Sequence, residues 1–400
     1  MKVLVLNCGS SSIKYKLFDT GTKAVLAQGG VERIGLKGSF LKLTLPSGEK
    51  VVLERDIPEH TAGIEFILEI LTSREYGCIS SLKEIDAVGH RIVHGGEKFN
   101  SSVLITPEVK EKIVECFDIA PLHNPANMKG IEAVEKILPD VPQVGVFDTA
   151  FHQTIPQYAY MYALPYELYT GYGVRRYGFH GTSHRYVSRR VCDFLGVDYK
   201  KQRIITCHIG NGGSITAIRD GKSVDTSMGL TPVEGLMMGT RTGDVDAGAL
   251  VYIMDKKSMS PSDLSEMINK RSGVLGISDL SSDMREIEAA VKAGHERATL
   301  ALKMYDYRIA KYIGSYIAAL NGVDIIVFTG GVGENQTGTR SRVCGHFTYM
   351  GLKIDEEKNS RIRGEEAVIS TPDSTVKVVV VPTDEELMIA MDTQVVIAGE

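Results

Sequence analysis

The sequence predicts an α/β protein in two halves, and three observations carry that prediction. One pattern occurs three times: an apolar strand running into a turn rich in Gly and small polar residues. The first instance is Val3-Leu4-Val5-Leu6 into Asn7-Cys8-Gly9-Ser10-Ser11-Ser12. The second is the strand 204–209 into Gly210-Asn211-Gly212-Gly213-Ser214, and the third is 325–329 into Gly330-Gly331-Val332-Gly333-Glu334-Asn335. The chain has 400 residues, more than one core ordinarily holds, because single cores rarely grow past about 250 to 300 residues. Strand-like and helical stretches are mixed along the whole length, the mark of a layered α/β fold.

In order, the first strand and turn lead into a second strand over 13–18, and stretches 24–34, 40–45 and 50–54 extend this into a meander, punctuated by Gly21, Gly38, Pro46 and Gly48. A helix is predicted over 59–76, where Ile64, Ile67, Leu68 and Leu71 recur at helical spacing. A strand over 85–93 follows, then two helices between 107 and 138. The second is expected to open with Asn124 as N-cap and Pro125 in the first helical position. A strand over 143–147 delivers Asp148 at its C-terminal end, where open α/β sheets place ligand-binding groups.

The stretch 156–178, rich in Tyr, Pro and Gly, reads as irregular. Helices are predicted from 181 to about 195 and over 247–255, 262–270, 282–293 and 295–321, the last with Leu302, Tyr305, Ile309, Ile313 and Ile317 as its buried stripe. Residues 335–343 are expected to be helical and 376–381 a strand. Thr383 and Glu386 have the spacing of a capping box for a terminal helix, which leaves Glu385 free to point toward a metal.

Composition narrows the function classes. Lys plus Arg number 45 against 50 Asp plus Glu, a formal net charge of −5 without a long basic run, so neither nucleic acid nor an anionic membrane is an expected partner. No apolar run of membrane-spanning length and no leader-like N-terminus occurs, so a cytoplasmic location is expected. Six dispersed cysteines without a C-x-x-C pair indicate reduced thiols rather than a disulfide framework or zinc site.

The Gly-rich turns suit a polyphosphate, since Gly and Ser let backbone N–H groups and hydroxyls approach an anion closely, and Lys14 adds a point charge. A polar hairpin loop is the other reading of any one such turn taken alone. A P-loop, a dinucleotide fingerprint and a nucleophile elbow are all absent, and His180 with His184 lacks the intervening Glu of a zinc helix. Arg91 and Arg241 each stand beside Gly-rich backbone, and their guanidinium forks match carboxylate or phosphoryl oxygens; ion-paired arginines are the alternative. Asn7, Asp148 and Glu385 are oxygen donors of the kind Mg²⁺ takes with waters and phosphates, or else turn, strand-end and helix-start residues. His180 is a candidate donor to a transferring phosphoryl group, or a satisfied histidine beside Phe179.

Taken together these stretches resemble the acetokinase family, of the actin-like and sugar-kinase superfamily, over essentially the full length. The resemblance rests on Asn7-x-Gly9-Ser10-Ser11-Ser12-x-Lys14, Gly89-His90-Arg91-x-Val93-His94-Gly95-Gly96 and Pro121-Leu122-His123-Asn124-Pro125. It rests equally on Phe147-Asp148-Thr149-Ala150-Phe151-His152, Tyr177-Gly178-Phe179-His180-Gly181-Thr182-Ser183-His184, Met238-Gly239-Thr240-Arg241 and Gly331-x-Gly333-Glu334-Asn335.

The resemblance implies two ribonuclease-H-like (actin-like ATPase) domains facing each other across a cleft. The first would be 1–149 closed by the C-terminal helix in 383–400, and the second, 150–382, would bind nucleotide and form a homodimer. It implies reversible, direct in-line transfer of the γ-phosphoryl group of ATP to acetate, giving acetyl phosphate and ADP with Mg²⁺, for which Mn²⁺ substitutes. Arg91, Asp148, His180 and Arg241 would be catalytic, His180 and Arg241 supporting the charge in flight, with Asn7 and Glu385 at the metal. Val93, Leu122, Phe179 and Pro232 would line the acetate pocket. Ser12, Lys14, His208, Ile209, Gly210, Asn211, Gly212, Asp283, Met284, Arg285, Gly331, Val332, Gly333 and Asn335 would hold the nucleotide. The sequence departs from the family pattern at Cys8, Gly213, Gly330, Met284 and Ala247, none of them in the catalytic set. The alternatives are a propionate or butyrate kinase of the same family, against which the bulk of Val93 argues, and a nucleotide-switched, actin-like binding protein.

Overall fold

In the computed structural model, which describes residues 1–399, the chain divides into two compact units. One comprises Met1–Gln153 and the stretch from Asp384 onward, the other Thr154–Thr383. Glu400, at the end of the expected segment 383–400, lies outside the described residues.

The first unit contains β1 (Lys2–Cys8), β2 (Ser12–Asp19), β3 (Ala24–Glu32), β4 (Phe40–Thr44) and β5 (Lys50–Glu54), then α1 (His60–Thr72), β6 (Ala87–Ile92), β7 (Val103–Leu104), α2 (Pro107–Glu115), α3 (Asn124–Ile137) and β8 (Gln143–Phe147). These strands form one sheet in the order β5-β4-β3-β2-β1-β6-β8-β7, with β1 to β5 an antiparallel meander and β1, β6 and β8 parallel. The two-residue period of β1 sorts its side chains to two cores. Leu4, Leu6 and Cys8 join the core that holds the buried residues of α1 and Ala133 and Val134 of α3. Val3 and Val5 pack with Phe18, Val144 and Val146 against Ile389 and Ala390 of the C-terminal helix. Each fully buried Leu or Ile here contributes roughly 1.5 to 3 kcal/mol relative to exposure.

The second unit contains α4 (Gln157–Tyr160), α5 (Tyr166–Tyr172), α6 (Gly181–Leu195), β9 (Arg203–Ile209), β10 (Gly213–Arg219), β11 (Lys222–Thr226), α7 (Ala247–Lys257), α8 (Pro261–Lys270), α9 (Gly273–Ser278), α10 (Met284–Lys292), α11 (Glu296–Leu320), β12 (Ile325–Thr329), α12 (Gly330–Asn335), α13 (Thr337–Cys344), α14 (Glu356–Arg361), β13 (Ala367–Val368) and β14 (Lys377–Val380). Its sheet order is β11-β10-β9-β12-β14-β13. An antiparallel β9–β10–β11 meander sits beside parallel β9, β12 and β14. The first unit repeats that order in β3-β2-β1-β6-β8, so each unit has the ribonuclease-H-like plan. The C-terminal helix α15 (Glu385–Ala398) returns to the first unit, and Gly89 admits it to the sheet, because a Cβ there would run into Ile389 and the Thr393 hydroxyl.

Four local expectations are corrected. Asn124 is the first residue of α3 and not its cap, and Pro125 is the second; His123 holds the cap position, and its side chain does not bond the cap amides. The N-cap of α15 is Asp384, whose Oδ1 accepts from the Leu387 amide at 3.0 Å, so Thr383 and Glu386 form no capping box. Glu386 instead pairs with Lys16 at 3.2 Å. The stretch 156–178 contains α4 and α5, with Arg175 seated over the Tyr160 ring at 3.5 Å. On α11 the buried stripe continues from Ile313 to Tyr316 and Leu320, and Ile317 is only half buried, as a 3.6-residue period requires. All six cysteines are free thiols, and five are buried.

Candidate active site

In the first unit the parallel strands set the site. The register aligns Leu6 with His90, and Arg91 with Val146, so Asn7, Arg91 and Asp148 emerge together at the C-terminal ends of β1, β6 and β8. Arg91 Nη2 donates to Asp148 Oδ2 at 2.5 Å, and Nη1 to Asn7 Oδ1 at 3.4 Å. Arg91 Nε is buried and makes no hydrogen bond among the described residues. Burial opposes the charge of Arg91, but Asp148 and Glu385 more than offset it and hold its pKa above the ordinary value. Burial, and then the Asp148 carboxylate, push Glu385 up to about 7, with Arg91 and Lys14 opposing. Glu385 thus belongs to this cluster, while Glu386 is occupied by Lys16. Lys14 stands opposite Asn7 in the β1–β2 ladder.

Three residues that hold this cluster in place escape a reading of the sequence. Asn127 Nδ2 donates to the Cys8 carbonyl at 2.7 Å, and its Oδ1 accepts from the Val93 amide at 3.1 Å. Asn124 pairs with both backbone groups of His94, at 3.1 and 2.8 Å. His60 Nε2 donates to the Gly9 carbonyl at 2.7 Å, tying the opening turn to α1. Two asparagines three residues apart in the first turn of a helix are the signal for the first pair, obscured here by Asn-Pro reading as a cap. Ser12 opens β2, and its carbonyl accepts from the Gly9 amide at 2.8 Å. Val93 is buried, whereas Leu122 is 74 % exposed within the first unit.

In the second unit His180 sits at φ 55° ahead of α6, with Nδ1 2.9 Å from Ser214 Oγ. The same hydroxyl is 2.7 Å from His184 Nε2, and His184 Nδ1 is 2.7 Å from Thr206 Oγ1. The His208 ring stacks on His180 at 4.3 Å. Arg241 approaches the same place. A Cβ on Gly212 would stand 3.3 Å from Arg241 Nη1 and 3.9 Å from His180 Nε2, so the missing side chain leaves a gap bounded by both. Arg241 has no carboxylate partner among the described residues; its Nη1 lies 3.9 Å from Met238 Sδ, and burial alone lowers its pKa. A half-buried cation without a counter-ion is matched to an anion that arrives as a ligand. Phe179 is buried and Pro232 half-buried in the same unit.

Beyond Gly212 opens a cavity of about 660 Å³ lined by Gly210, Asn211, Asp283, Met284, Arg285, Gly331, Val332 and Asn335, together with Gly239, Ser282 and Gln336. Of the residues expected to hold nucleotide, His208, Ile209, Gly212 and Gly333 lie outside this lining, and Ser12 and Lys14 belong to the other unit. Gly239 is required by close approach, since a Cβ there would collide with the Asn211 amide oxygen. Asp283 caps α10 through the Arg285 amide at 2.8 Å and grips the Arg285 guanidinium, which holds its carboxyl down at about 2. The third Gly-rich stretch is helical, as α12, a correction to its reading as a turn. Fully buried Arg340 secures it, donating to the carbonyls of Gly333 and Glu334 at 3.0 and 2.8 Å.

Among the described residues no group of three or more His, Cys, Asp or Glu side chains is arranged to hold a metal ion by itself. The all-oxygen set of Asn7, Asp148 and Glu385 nevertheless fits Mg²⁺ completed by water and phosphate oxygens. The Asp148 carboxylate's unfavourable action on the Glu385 carboxyl is what a bound cation would relieve. No helix among the described residues is long and apolar enough to cross a membrane.

The chain compares closely with known proteins. The Acetokinase family profile matches residues 2–391. The chain is 71 % identical over 393 residues to the acetate kinase of Phocaeicola vulgatus, covering 98 % of each chain. It superposes on the crystal structure of Porphyromonas gingivalis acetate kinase with a TM-score of 0.97 at 64 % identity, covering 99 % of both chains. On a propionate kinase from Francisella tularensis the TM-score is 0.91 at 43 % identity, covering 98 % of this chain and 99 % of that one. With the family matched nearly end to end, the chain belongs to the acetokinase family.

Proposed function

We propose that the chain is an acetate kinase that transfers the γ-phosphoryl group of ATP reversibly and directly to acetate, giving acetyl phosphate and ADP. The observation that carries the reading is the guanidinium of Arg241, without a carboxylate partner among the described residues, meeting His180 at Gly212, the residue after Asn211 of the cavity lined by Gly210, Asn211 and Gly331. Nucleotide in that cavity places its phosphates toward Gly212, where Arg241 meets the charge of the transferring group and His180 donates from Nε2, its Nδ1 being engaged with Ser214. Arg91, steered by Asp148 and Asn7, holds the acetate carboxylate. A carboxylate oxygen attacks phosphorus, the bond to the β-phosphate bridging oxygen breaks, and ADP leaves with that electron pair. Acetate is already a nucleophile, so orientation and charge neutralisation suffice without a strong base. Asn7, Asp148 and Glu385 would hold Mg²⁺, or Mn²⁺ in its place, which when bound neutralises phosphate charge. The enzyme acts in the cytoplasm as a homodimer through its second unit, without nucleic acid or membrane as partner.

The buried Val93 supports acetate over longer acids. A hydroxylamine-trapping assay with ATP, Mg²⁺ and acetate, propionate or butyrate tests this. Acetate should give the highest kcat/KM, with propionate weaker by roughly 10- to 200-fold, the range one methylene spans. A higher kcat/KM for propionate or butyrate would reassign the acceptor.

A further inference from the structure

Thr383, the last residue of the second unit, is tied at both of its polar groups to segments that frame the candidate site. Its amide donates to Glu334 Oε1 at 3.2 Å. The same oxygen accepts from the Gly330 amide at 2.9 Å and the Thr329 hydroxyl at 3.3 Å, at the start of α12, which lines the cavity. The Thr383 hydroxyl lies 2.8 Å from Ser183 Oγ, which lies 2.8 Å from His208 Nδ1, on the ring that stacks against His180. All of these bonds lie inside the second unit. Two residues further along the chain is Glu385, in the first turn of α15, close enough to Asp148 and Arg91 for their charges to act on its carboxyl.

Two peptide units span at most about 7 Å, so a displacement of Thr383 passes to Glu385 with little slack. A strand end that needed only fastening would be served by the Glu334 contact, whereas here a second, side-chain path runs separately to the histidine stack. We propose that Thr383 is a positioning residue: through Glu334 and Ser183 it reads what the α12 and His208 segments hold and sets the first turn of α15, and with it Glu385. The inference rests on the proposed function for the roles of α12 and Glu385.

The test uses the full-length chain with Thr383→Val, which keeps volume and amide but removes the hydroxyl, and with Thr383→Ser, which restores it. Thr383→Val should lower kcat by roughly 10- to 100-fold, the scale of an ångström-level misplacement, with the ADP KM moved less than about twofold. Thr383→Ser should recover most of the loss. Hydrogen exchange gives a readout independent of turnover: ADP alone should slow amide exchange across residues 384–388 in wild type and Thr383→Ser but not in Thr383→Val. Should Thr383→Val fold poorly, Ser183→Ala removes the same path from its other end. Wild-type kcat in Thr383→Val, or equal ADP protection of 384–388 in both chains, overturns the proposal. Absence of acetyl phosphate formation by wild type would instead overturn the assigned activity.

Discussion

Arg241 and Arg91 illustrate how differently two guanidinium groups can be prepared. Arg91 is paired with Asp148 and its charge is reinforced, whereas Arg241 is depressed by burial and meets no carboxylate among the described residues. Arg241→Ala should therefore lower kcat by about 10³ to 10⁵, the value of an arginine aimed at a transferring phosphoryl group, without lowering Tm. Arg91→Ala should lose comparable turnover and also destabilise, because it leaves buried Asp148 without its cation. Steady-state kinetics beside thermal melts check both halves. A second residue-scale effect concerns His90, which donates from Nε2 to Gln143 Oε1 at 2.8 Å and whose pKa burial lowers to about 4. Between that value and the ordinary 6.5 the unfolded chain binds a proton that the folded chain does not, so stability is lost as pH falls from about 6.5 toward 4. The slope contributed by this residue approaches about 1.4 kcal/mol per pH unit. Denaturant unfolding of wild type and His90→Gln at pH 5 and 7 measures it: the variant should lose less stability on going to pH 5.

At the scale of elements, the start of α15 shows what a sequence conveys and what it hides. In Thr383-Asp384-Glu385-Glu386 local spacing favours Thr383 with Glu386 as a capping box, yet tertiary partners for both hand the cap to Asp384. Asp384→Ala should accordingly cost about 0.5 to 2 kcal/mol, and Glu386→Ala, which loses only a partly exposed ion pair with Lys16, about 0 to 1. Urea unfolding of the two variants ranks them, and the reverse order would restore the capping box. The same competition explains Asn124, whose Asn-Pro sequence imitates a cap while its amide pairs with His94 thirty residues away. It also explains α12, where three glycines oppose a helix by nearly 1 kcal/mol each and the buried Arg340 guanidinium holds two of its carbonyls. By contrast β1, β2, β8 and the helix α11 were legible, because strand alternation and helical stripes record burial directly. Arg91, Asp148 and Glu385 each had a structural reading of their own in the sequence and were joined as a candidate site through the family resemblance, and the asparagines that brace the cluster were not read at all, since long-range pairing leaves no local period.

At the scale of the molecule, the same five-strand order appears in both units, and each holds one set of candidate site residues: carboxylates, Asn7 and Arg91 in the first, the cavity, His180 and Arg241 in the second. The proposed function assigns both sets to the transfer of one γ-phosphoryl group, with acetate as its acceptor. Phosphorus NMR of a mixture of wild-type protein, ATP, Mg²⁺ and acetate tests this most directly. Acetyl phosphate and ADP should appear in equal amounts, with neither formed at a comparable rate by Arg91→Ala or Arg241→Ala. Conversion of ATP to ADP and inorganic phosphate without acetyl phosphate, as in a nucleotide-switched binding protein, would contradict it.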